Sequence, residues 1–259
     1  MSRHLSGFGI AITRPEGQAR KLSIAIEQEG GIAILFPLLA IASLNDYSQF
    51  KSTIEQLESA DWAIFISTNA VENAFPHIAK RYHVLPEKLK FAAIGPQTAK
   101  ELALNGVNNV LTPHMRFDSE ALLALDEMQN VAHKKVLIFR GIGGREVLAD
   151  TLRARGAEIT FAECYQRVNP QTDCSLLKKL WQENQCHAIV VTSSEAMRNL
   201  MKMTNNAKDD WIRSIKICVN HARIAEETAS LGLQVFVADA PGDEAMLNCL
   251  QKALLPASI

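Results

Sequence analysis

Short apolar runs rich in Ile, Val, Ala and Phe recur along the chain, and segments with helical periodicity separate them. The apolar runs do not alternate cleanly with polar residues, which is typical of parallel strands buried on both faces. Helices are predicted, for example, over residues 17–29 and 146–155, where apolar residues share one face. The pattern predicts the α/β class, with strands at residues 8–13, 32–39, 62–66, 91–94, 108–111, 135–139, 158–165, 188–191, 215–219 and 234–237.

The chain carries the same unit twice, with a period of 125–126 residues. So long a period indicates duplicated domains rather than a solenoid. Together with the continuous apolar strands, it predicts two flavodoxin-like doubly wound parallel-sheet domains. Candidate linkers follow the long second strand of each copy, at 43–51 and 167–175. The matching segments are 9–42 with 135–168, 90–112 with 216–238, and 62–75 with 187–201, the last in a register that pairs Ser67 with Thr192.

Composition and charge exclude several classes of protein. The 259 residues are 47% apolar and 21% charged with a net charge of -1, so no general attraction to nucleic acid or an anionic membrane is expected. The longest apolar run, residues 32–42, is too short to span a bilayer, and the first residues do not resemble a signal peptide. The five cysteines lack ligand spacing, which favours reduced structural thiols, a cytoplasmic location and no metal site.

Candidate chemistry lies where each strand meets the following helix. These junctions are small and polar, and the free N–H groups of helix starts bind anions without a net positive charge. Arg14, Arg140 and Arg145 stand at their edges and suit a ligand with many carboxylates or phosphates. The same polar residues also serve as ordinary helix caps, and the arginines as surface ion pairs. His221 and Tyr165 likewise fit either a functional or a structural role, whereas Cys164 fits a core thiol.

Eight stretches resemble the uroporphyrinogen-III synthase family in order and spacing, and they cover nearly the whole chain. The resemblance implies two flavodoxin-like domains joined by a two-stranded connector. It places domain 1 at 1–40 plus 170–259, domain 2 at 41–169, and the connectors near 35–45 and 160–172. The first βα unit of each repeat would then pack with the later units of the other repeat. The stretches are ITRP, FISTNAVENAF, AIGPQTAKEL, FDSEALL, LIFRGIGGREVLADTLRARGA, ECYQR, VVTSSEAMRNL and RIAEETASLG.

The resemblance also implies a reaction in haem and sirohaem biosynthesis. The substrate is hydroxymethylbilane, a linear tetrapyrrole with eight carboxylates. The enzyme removes its terminal hydroxyl as water and closes the ring through a spiro intermediate, with ring D inverted and without metal or organic cofactor. Two other classes stay open from the residues alone, a two-lobed anion-binding protein and a receiver-like signalling protein. The second needs an acidic residue where Ser67 and Thr192 stand.

Site residues are predicted from the strand-to-helix junctions together with the resemblance, which maps Tyr165, Ser67, Thr98 and Thr192 onto the family's cleft. Tyr165 is the predicted catalytic donor to the leaving hydroxyl. Asn69 stands where some relatives carry Arg, which weakens the expectation of a charge pair there. The expected partners are hydroxymethylbilane and, transiently, the preceding bilane-forming enzyme, with no nucleic acid, no membrane and a monomeric chain. The predicted substrate-binding residues are Arg14, Ser67, Thr68, Asn69, Gly95, Gln97, Thr98, Arg140, Gly141, Thr192, Ser193, Ser194 and His221.

Overall fold

The structure of the protein is a computed structural model that describes residues 3–255. Eleven strands lie in this range, and each of the ten predicted strands overlaps one of them. The strands are β1 Gly9–Ile12, β2 Ile32–Leu35, β3 Ala40–Ala42, β4 Trp62–Phe65, β5 Lys90–Ala93, β6 Val110–Leu111, β7 Lys135–Gly141, β8 Glu158–Val168, β9 Ala188–Val191, β10 Lys216–Val219 and β11 Gln234–Val237.

Helices connect most of the strands, and two short 3-10 turns lie at Gln56–Ser59 and Ala229–Leu231. The two helices predicted at 17–29 and 146–155 are found within one residue of those bounds. The α-helices of the described range are α1 Glu16–Gln28, α2 Ser48–Glu55, α3 Thr68–Arg81, α4 Pro96–Leu104, α5 Ser119–Leu123, α6 Asp126–Gln129, α7 Val147–Ala154, α8 Ser175–Gln182, α9 Ser194–Met203, α10 Asp210–Ser214, α11 Ala222–Glu226 and α12 Asp243–Leu254.

The chain divides into two compact units. Unit 1 takes the described residues of Met1–Ala40 and Val168–Ile259, and unit 2 takes Ile41–Arg167. Unit 1 contains a five-stranded sheet in the order β2-β1-β9-β10-β11, in which the neighbours pair in parallel. Numbered along the unit, this is the order 2-1-3-4-5 of the flavodoxin fold.

Unit 2 contains a six-stranded sheet in the order β3-β8-β7-β4-β5-β6. The last five strands pair in parallel, and they show the same flavodoxin order when β7 is counted as the first strand. The parallel α/β sheets confirm the predicted fold class. β3 and β8, along which the chain passes from one unit to the other, are neighbours in this sheet.

The sheets combine strands from both sequence repeats. β1 of the first repeat pairs with β9 of the second, and β4 of the first repeat pairs with β7 of the second. Each unit therefore joins the first βα unit of one repeat to the later units of the other, which is the offset that the family resemblance implied.

Each sheet is covered on both faces, which explains the continuous apolar strands. In unit 1, Ala11 faces one cluster of buried residues, while Ile10 and Ile12 face another. In unit 2, Phe65 faces one cluster of buried residues and Ile64 faces another. Because successive side chains of a strand point to opposite faces, burial on both faces removes the polar alternation.

Two predicted boundaries are wrong for local reasons. The strand predicted at 32–39 ends at Leu35, because Pro37 has no N–H to continue a ladder; Phe36 and Leu38 still donate to the carbonyls of Ile12 and Thr13. The predicted linker at 43–51 contains the start of α2, whose Phe50 is buried in the core of unit 2.

In residues 3–255, no helix combines the length and the apolar character that crossing a bilayer requires.

Candidate active site

Tyr165 lies against the carboxyl end of β7 in unit 2. A Cβ atom at Gly141 would stand 2.4 Å from Cε2 of Tyr165, so the ring fills the space that a side chain at Gly141 would need. The tyrosine is only 4% exposed and belongs to a core cluster with Ala162 and Cys164. The structure therefore brings together the predicted catalytic Tyr165 and the predicted binding residue Gly141.

A β-bulge sets the direction of the Tyr165 side chain. Arg140 is paired with Glu163, whereas the next residue, Gly141, is paired with Tyr165, so Cys164 is an extra residue in β8. Because alternate residues of a regular strand point to opposite faces, the extra residue turns Tyr165 to the same face as Cys164. Sequence patterns alone gave no sign of this bulge.

The hydroxyl of Tyr165 reaches the start of α3. Its Oη lies 3.3 Å from Oγ of Ser67, and this Oγ also accepts the N–H of Ala70 at 3.1 Å as the cap of α3. Thr68 and Asn69 form the first turn of the helix, where the first N–H groups have no intrahelical acceptor. The carboxyl ends of the strands in unit 2 thus bring a tyrosine hydroxyl and a serine hydroxyl to the start of α3, where the first N–H groups are free.

The next strand of unit 2, β5, ends at Ala93, and Gly95 is the residue before α4. Thr98 of α4 is buried, and Gln97 is exposed. A Cβ atom at Gly95 would stand 3.1 Å from Cβ of Phe117, which is itself 54% exposed. Phe117 was not among the residues predicted from the sequence, although a large apolar residue beside Arg116 in a polar loop was a usable signal.

Arg140 is held by its own loop. It is buried, its Nε donates to the carbonyl of Gly141 at 3.2 Å, and its Nη2 donates to the carbonyl of Gly143. Its guanidinium also stands 4.6 Å over the ring of Phe161. These contacts make Arg140 a brace for the turn after β7, with its donors directed at backbone carbonyls.

In unit 1, Arg14 follows β1 and contacts the end of β9. Its Nε donates to Oγ1 of Thr192 at 3.3 Å, and its Nη1 pairs with Oδ1 of Asp243 at the start of α12. The guanidinium side chain is 13% exposed. The prediction missed Asp243, which balances the charge of Arg14 at this edge of the sheet.

The residue that caps α9 corrects the predicted alignment of the two sequence repeats near Ser67. Oγ of Ser193 accepts the N–H of Ala196 at 3.0 Å and caps α9, as Ser67 caps α3. Ser67 therefore corresponds to Ser193, 126 residues later, and the predicted pairing of Ser67 with Thr192 is wrong by one residue. Ser194 is the first residue of α9, and its Oγ is buried without a partner among the described residues.

His221 precedes α11 at the end of β10. It is exposed, and its side chain makes no capping hydrogen bond. It occupies the position that Gly95 holds in unit 2, where α4 begins. The three strand ends of unit 1 that carry predicted residues, those of β1, β9 and β10, are neighbours in the sheet.

Cys164 is a core thiol, as the sequence predicts. Cys164 lies inside the core, where its Sγ is 3.4 Å from the carbonyl oxygen of Arg140, and burial raises the pKa of the thiol to about 12. It remains protonated at neutral pH, as a core thiol should. In residues 3–255, His, Cys, Asp and Glu form no group of three able to hold a metal ion.

Comparisons with known proteins point to one family. A family model described as "Uroporphyrinogen-III synthase HemD" matches residues 20–248. The chain is 34% identical over 246 residues to the "Uroporphyrinogen-III synthase" of Escherichia coli K12, covering 94% of this chain and 100% of the relative. It is 35% identical over 248 residues to the protein of that name from Salmonella typhimurium LT2, covering 94% of this chain and 100% of the relative.

Two solved structures resemble the protein in fold. One is a mutant uroporphyrinogen III synthase from the thermophilic bacterium Thermus thermophilus, with a TM-score of 0.63 and 15% identity over 95% of this chain and 98% of that chain. The other is the uroporphyrinogen-III synthetase of Helicobacter pylori 26695, with a TM-score of 0.56 and 14% identity over 93% of this chain and 97% of that chain. At these identities the likeness supports the fold alone.

Proposed function

The chain belongs to the uroporphyrinogen-III synthase family, and on that basis we propose how its residues carry out the reaction. The enzyme cyclises hydroxymethylbilane to uroporphyrinogen III in tetrapyrrole biosynthesis. A hydroxyl leaves as water, and the macrocycle closes through a spiro intermediate with ring D inverted. Since the bilane also closes unaided to the type I isomer, the protein must mainly fix the geometry of attack and prevent the direct closure.

One observation carries the assignment of the proton donor, namely the hydroxyl pair of Tyr165 and Ser67. Because Ser67 Oγ already accepts the N–H of Ala70, its own hydrogen can be donated to Tyr165 Oη. The tyrosine hydrogen is then free for the leaving hydroxyl of the substrate. The positive end of α3 polarises this chain of hydrogen bonds and strengthens Tyr165 as a donor.

The substrate carboxylates would be bound by helix starts and small polar side chains. In unit 2 we assign this role to Thr68, Asn69 and Thr98, with Gln97 and the backbone at Gly95 and Gly141. In unit 1 we assign it to Thr192, Ser193, Ser194 and His221. The free N–H groups at the helix starts support this assignment, since they bind anions without a cationic side chain. Arg14 and Arg140 would then act on the substrate through the groups that they hold, Thr192 and the turn after β7.

The setting of the enzyme forms part of the proposal. We propose domains at 1–40 plus 170–259 and at 41–169, and a monomeric chain. Five buried, unpaired cysteines support a reducing compartment such as the cytoplasm. A transient contact with the bilane-forming enzyme would shorten the time that the reactive bilane spends in solution.

The test of the proton donor is Tyr165→Phe, assayed with freshly made hydroxymethylbilane. The rate of uroporphyrinogen III formation should fall about 100-fold, at the lower end of what a general acid contributes. Tyr82→Phe is the matched control. Its hydroxyl donates to the carbonyl of Ile54 at 3.0 Å in the core of unit 2, so the variant should lose stability and keep its rate.

Two results would count against the proposal at different levels. An unchanged rate for Tyr165→Phe would remove this residue from the mechanism and leave the activity standing. A wild-type protein that yields only the spontaneous type I product would reject the activity itself, as expected of an anion-binding protein without chemistry.

A further inference from the structure

Two neighbouring strand ends of unit 1 carry buried polar atoms without partners. Oγ of Ser194, just after β9, and Oδ1 of Asn220, just after β10, have no hydrogen-bond partner among the described residues. β9 and β10 pair directly with each other, so both atoms belong to adjacent strand ends on the edge that carries Arg14 and Thr192. Asn220 was not among the residues predicted from the sequence.

The unpartnered atoms contrast with their surroundings. Thr13 Oγ1 donates to the carbonyl of Val190 at 2.8 Å, and Ser193 Oγ accepts the N–H of Ala196 at 3.0 Å. A buried polar group without a partner is uncommon in folded proteins and calls for a specific explanation. Two such atoms on one edge indicate groups that a ligand satisfies.

The chemistry of the two atoms defines what the ligand must offer. A serine hydroxyl can donate to a carboxylate, but the carbonyl oxygen of an asparagine can only accept, so it needs an N–H or O–H from the ligand. The positive charge of Arg14 is already paired with Asp243 on this edge. A simple anion would therefore satisfy Ser194 and leave Asn220 without a donor, whereas a pyrrole that carries N–H and acid side chains can satisfy both.

We propose that Asn220 Oδ1 accepts the N–H of one pyrrole ring of the substrate, while Ser194 Oγ donates to a substrate carboxylate. This inference rests on the proposed function and adds to it a contact that recognises the ring itself. A contact to the N–H edge fixes which edge of that ring faces unit 1. Carboxylate contacts alone fix the ring less firmly, because the acid side chains are flexible.

The test uses Asn220→Leu and Ser194→Ala in the full chain. Each removes a polar atom that has no partner in the free protein, so the melting temperature should stay the same or rise. Each also removes a contact to the substrate, so kcat/KM with freshly made hydroxymethylbilane should fall about tenfold, the usual size of one lost hydrogen bond. Unchanged stability together with reduced kcat/KM is the result expected of a residue that serves the ligand.

Two controls separate this result from a structural effect. Ser193→Ala removes a cap that is in use, so its melting temperature should fall. Trp211→Phe removes another buried and unpartnered N–H, on α10 before β10 begins, so kcat/KM should remain that of the wild type.

Two outcomes overturn the inference while leaving the activity intact. In one, Asn220→Leu and Ser194→Ala keep the kcat/KM of the wild type. In the other, they lose stability as Ser193→Ala does, with activity falling only in proportion to unfolded protein. A wild-type enzyme that yields no uroporphyrinogen III would instead reject the proposed function, so the two failures can be told apart.

Discussion

β2 of unit 1 and β8 of unit 2 hold the same place in two sheets of the same strand order, yet they end differently. β2 ends at Leu35, shortly before Pro37, whereas β8 continues to Val168, with Glu163 at the position that corresponds to Pro37. Unit 2 can therefore place Tyr165 over the end of β7. Unit 1 has Leu39 at the corresponding position.

The two ends also differ in how completely their polar groups are paired. In unit 2 the hydroxyls of Tyr165 and Ser67 bind each other and the start of α3. In unit 1 the charge of Arg14 is balanced by Asp243, while Ser194 and Asn220 keep unpartnered atoms. The comparison teaches that one duplicated scaffold pairs the hydroxyls at one end with each other and leaves buried hydrogen-bonding atoms without partners at the other.

Of the substitutions that test this comparison, the one at Gly9, the first residue of β1, should lower the stability most. A Cβ atom at Gly9 would stand 1.7 Å from the backbone oxygen of Gln185, so Gly9→Ala must move the backbone of unit 1. The free energy of unfolding should fall by about 3 kcal/mol, the upper part of the usual range for overpacking. Urea unfolding followed by circular dichroism measures it.

The corresponding residue of unit 2 is the control. Lys135 begins β7 with an exposed side chain, so Lys135→Ala should change the stability by less than about 0.5 kcal/mol. If Gly9→Ala and Lys135→Ala lowered the free energy of unfolding equally, the close contact of Gly9 with the backbone of Gln185 would not explain the effect.

The next effect concerns the tyrosine of unit 2. Gly141→Ala should displace the Tyr165 ring, lower the stability by about 1–3 kcal/mol and slow formation of uroporphyrinogen III. Gly17→Ala offers the opposite case, because nothing lies within 4 Å of its Cβ position on α1. That variant should gain up to about 1 kcal/mol from helix propensity. A Gly141→Ala enzyme with wild-type rate would contradict the contact between Gly141 and Tyr165.

The amino ends of the two sheets carry equivalent side-chain contacts built from different residues. In unit 2, Asp61 Oδ2 accepts the N–H of Lys135 at 2.9 Å, and in unit 1, Nδ1 of His187 accepts the N–H of Gly9 at 3.0 Å. The hydrogen bonds from Lys134 and Lys135 lower the pKa of Asp61. Burial, with a contribution from Lys216, lowers the pKa of His187.

The smallest predicted effect is a loss of stability on acidification, as the contacts of His187 and Asp61 weaken. The contact of His187 in unit 1 should weaken at the higher pH. The unfolded chain protonates His187 near pH 6.5, before the folded chain does, so the wild type should lose stability relative to His187→Gln as pH falls from about 6.5. Asp61 should contribute about 1 kcal/mol over Asp61→Asn at pH 7 and lose it below about pH 4.

Urea midpoints measured across pH 3–8 test both windows. A His187 effect that begins only near pH 4, or an Asp61 advantage that persists at pH 2–3, would contradict the respective prediction.

Much of the fold was predictable, because its causes are local or repeated in the sequence. Burial on both faces makes the strands continuous apolar runs, and the duplication is visible in matched pairs such as Arg14 with Arg140. The offset between repeats and units was implied by the family resemblance. Ser67 and Tyr165 could be singled out as polar residues at strand ends. Their contact with each other could not, since it depends on the position of β8 beside β7.

The features that the sequence did not reveal depend on one-residue shifts or on distant partners. The extra residue Cys164 changes the facing of β8 without changing its composition. Asp243 pairs with Arg14 across 229 positions of the chain. The unpartnered oxygen of Asn220 is visible only once its neighbours in space are known.

The bulge at Cys164 decides to which face of the sheet the Tyr165 hydroxyl points, because successive side chains of a regular strand alternate between the two faces. If β8 instead paired regularly through Cys164, Tyr165 would point to the opposite side of the sheet, although the amino acid sequence would be unchanged. Grafting this hydroxyl onto unit 1 would accordingly require more than Leu39→Tyr. It would also require a longer β2 without Pro37, and a bulge at Leu38, which corresponds to Cys164.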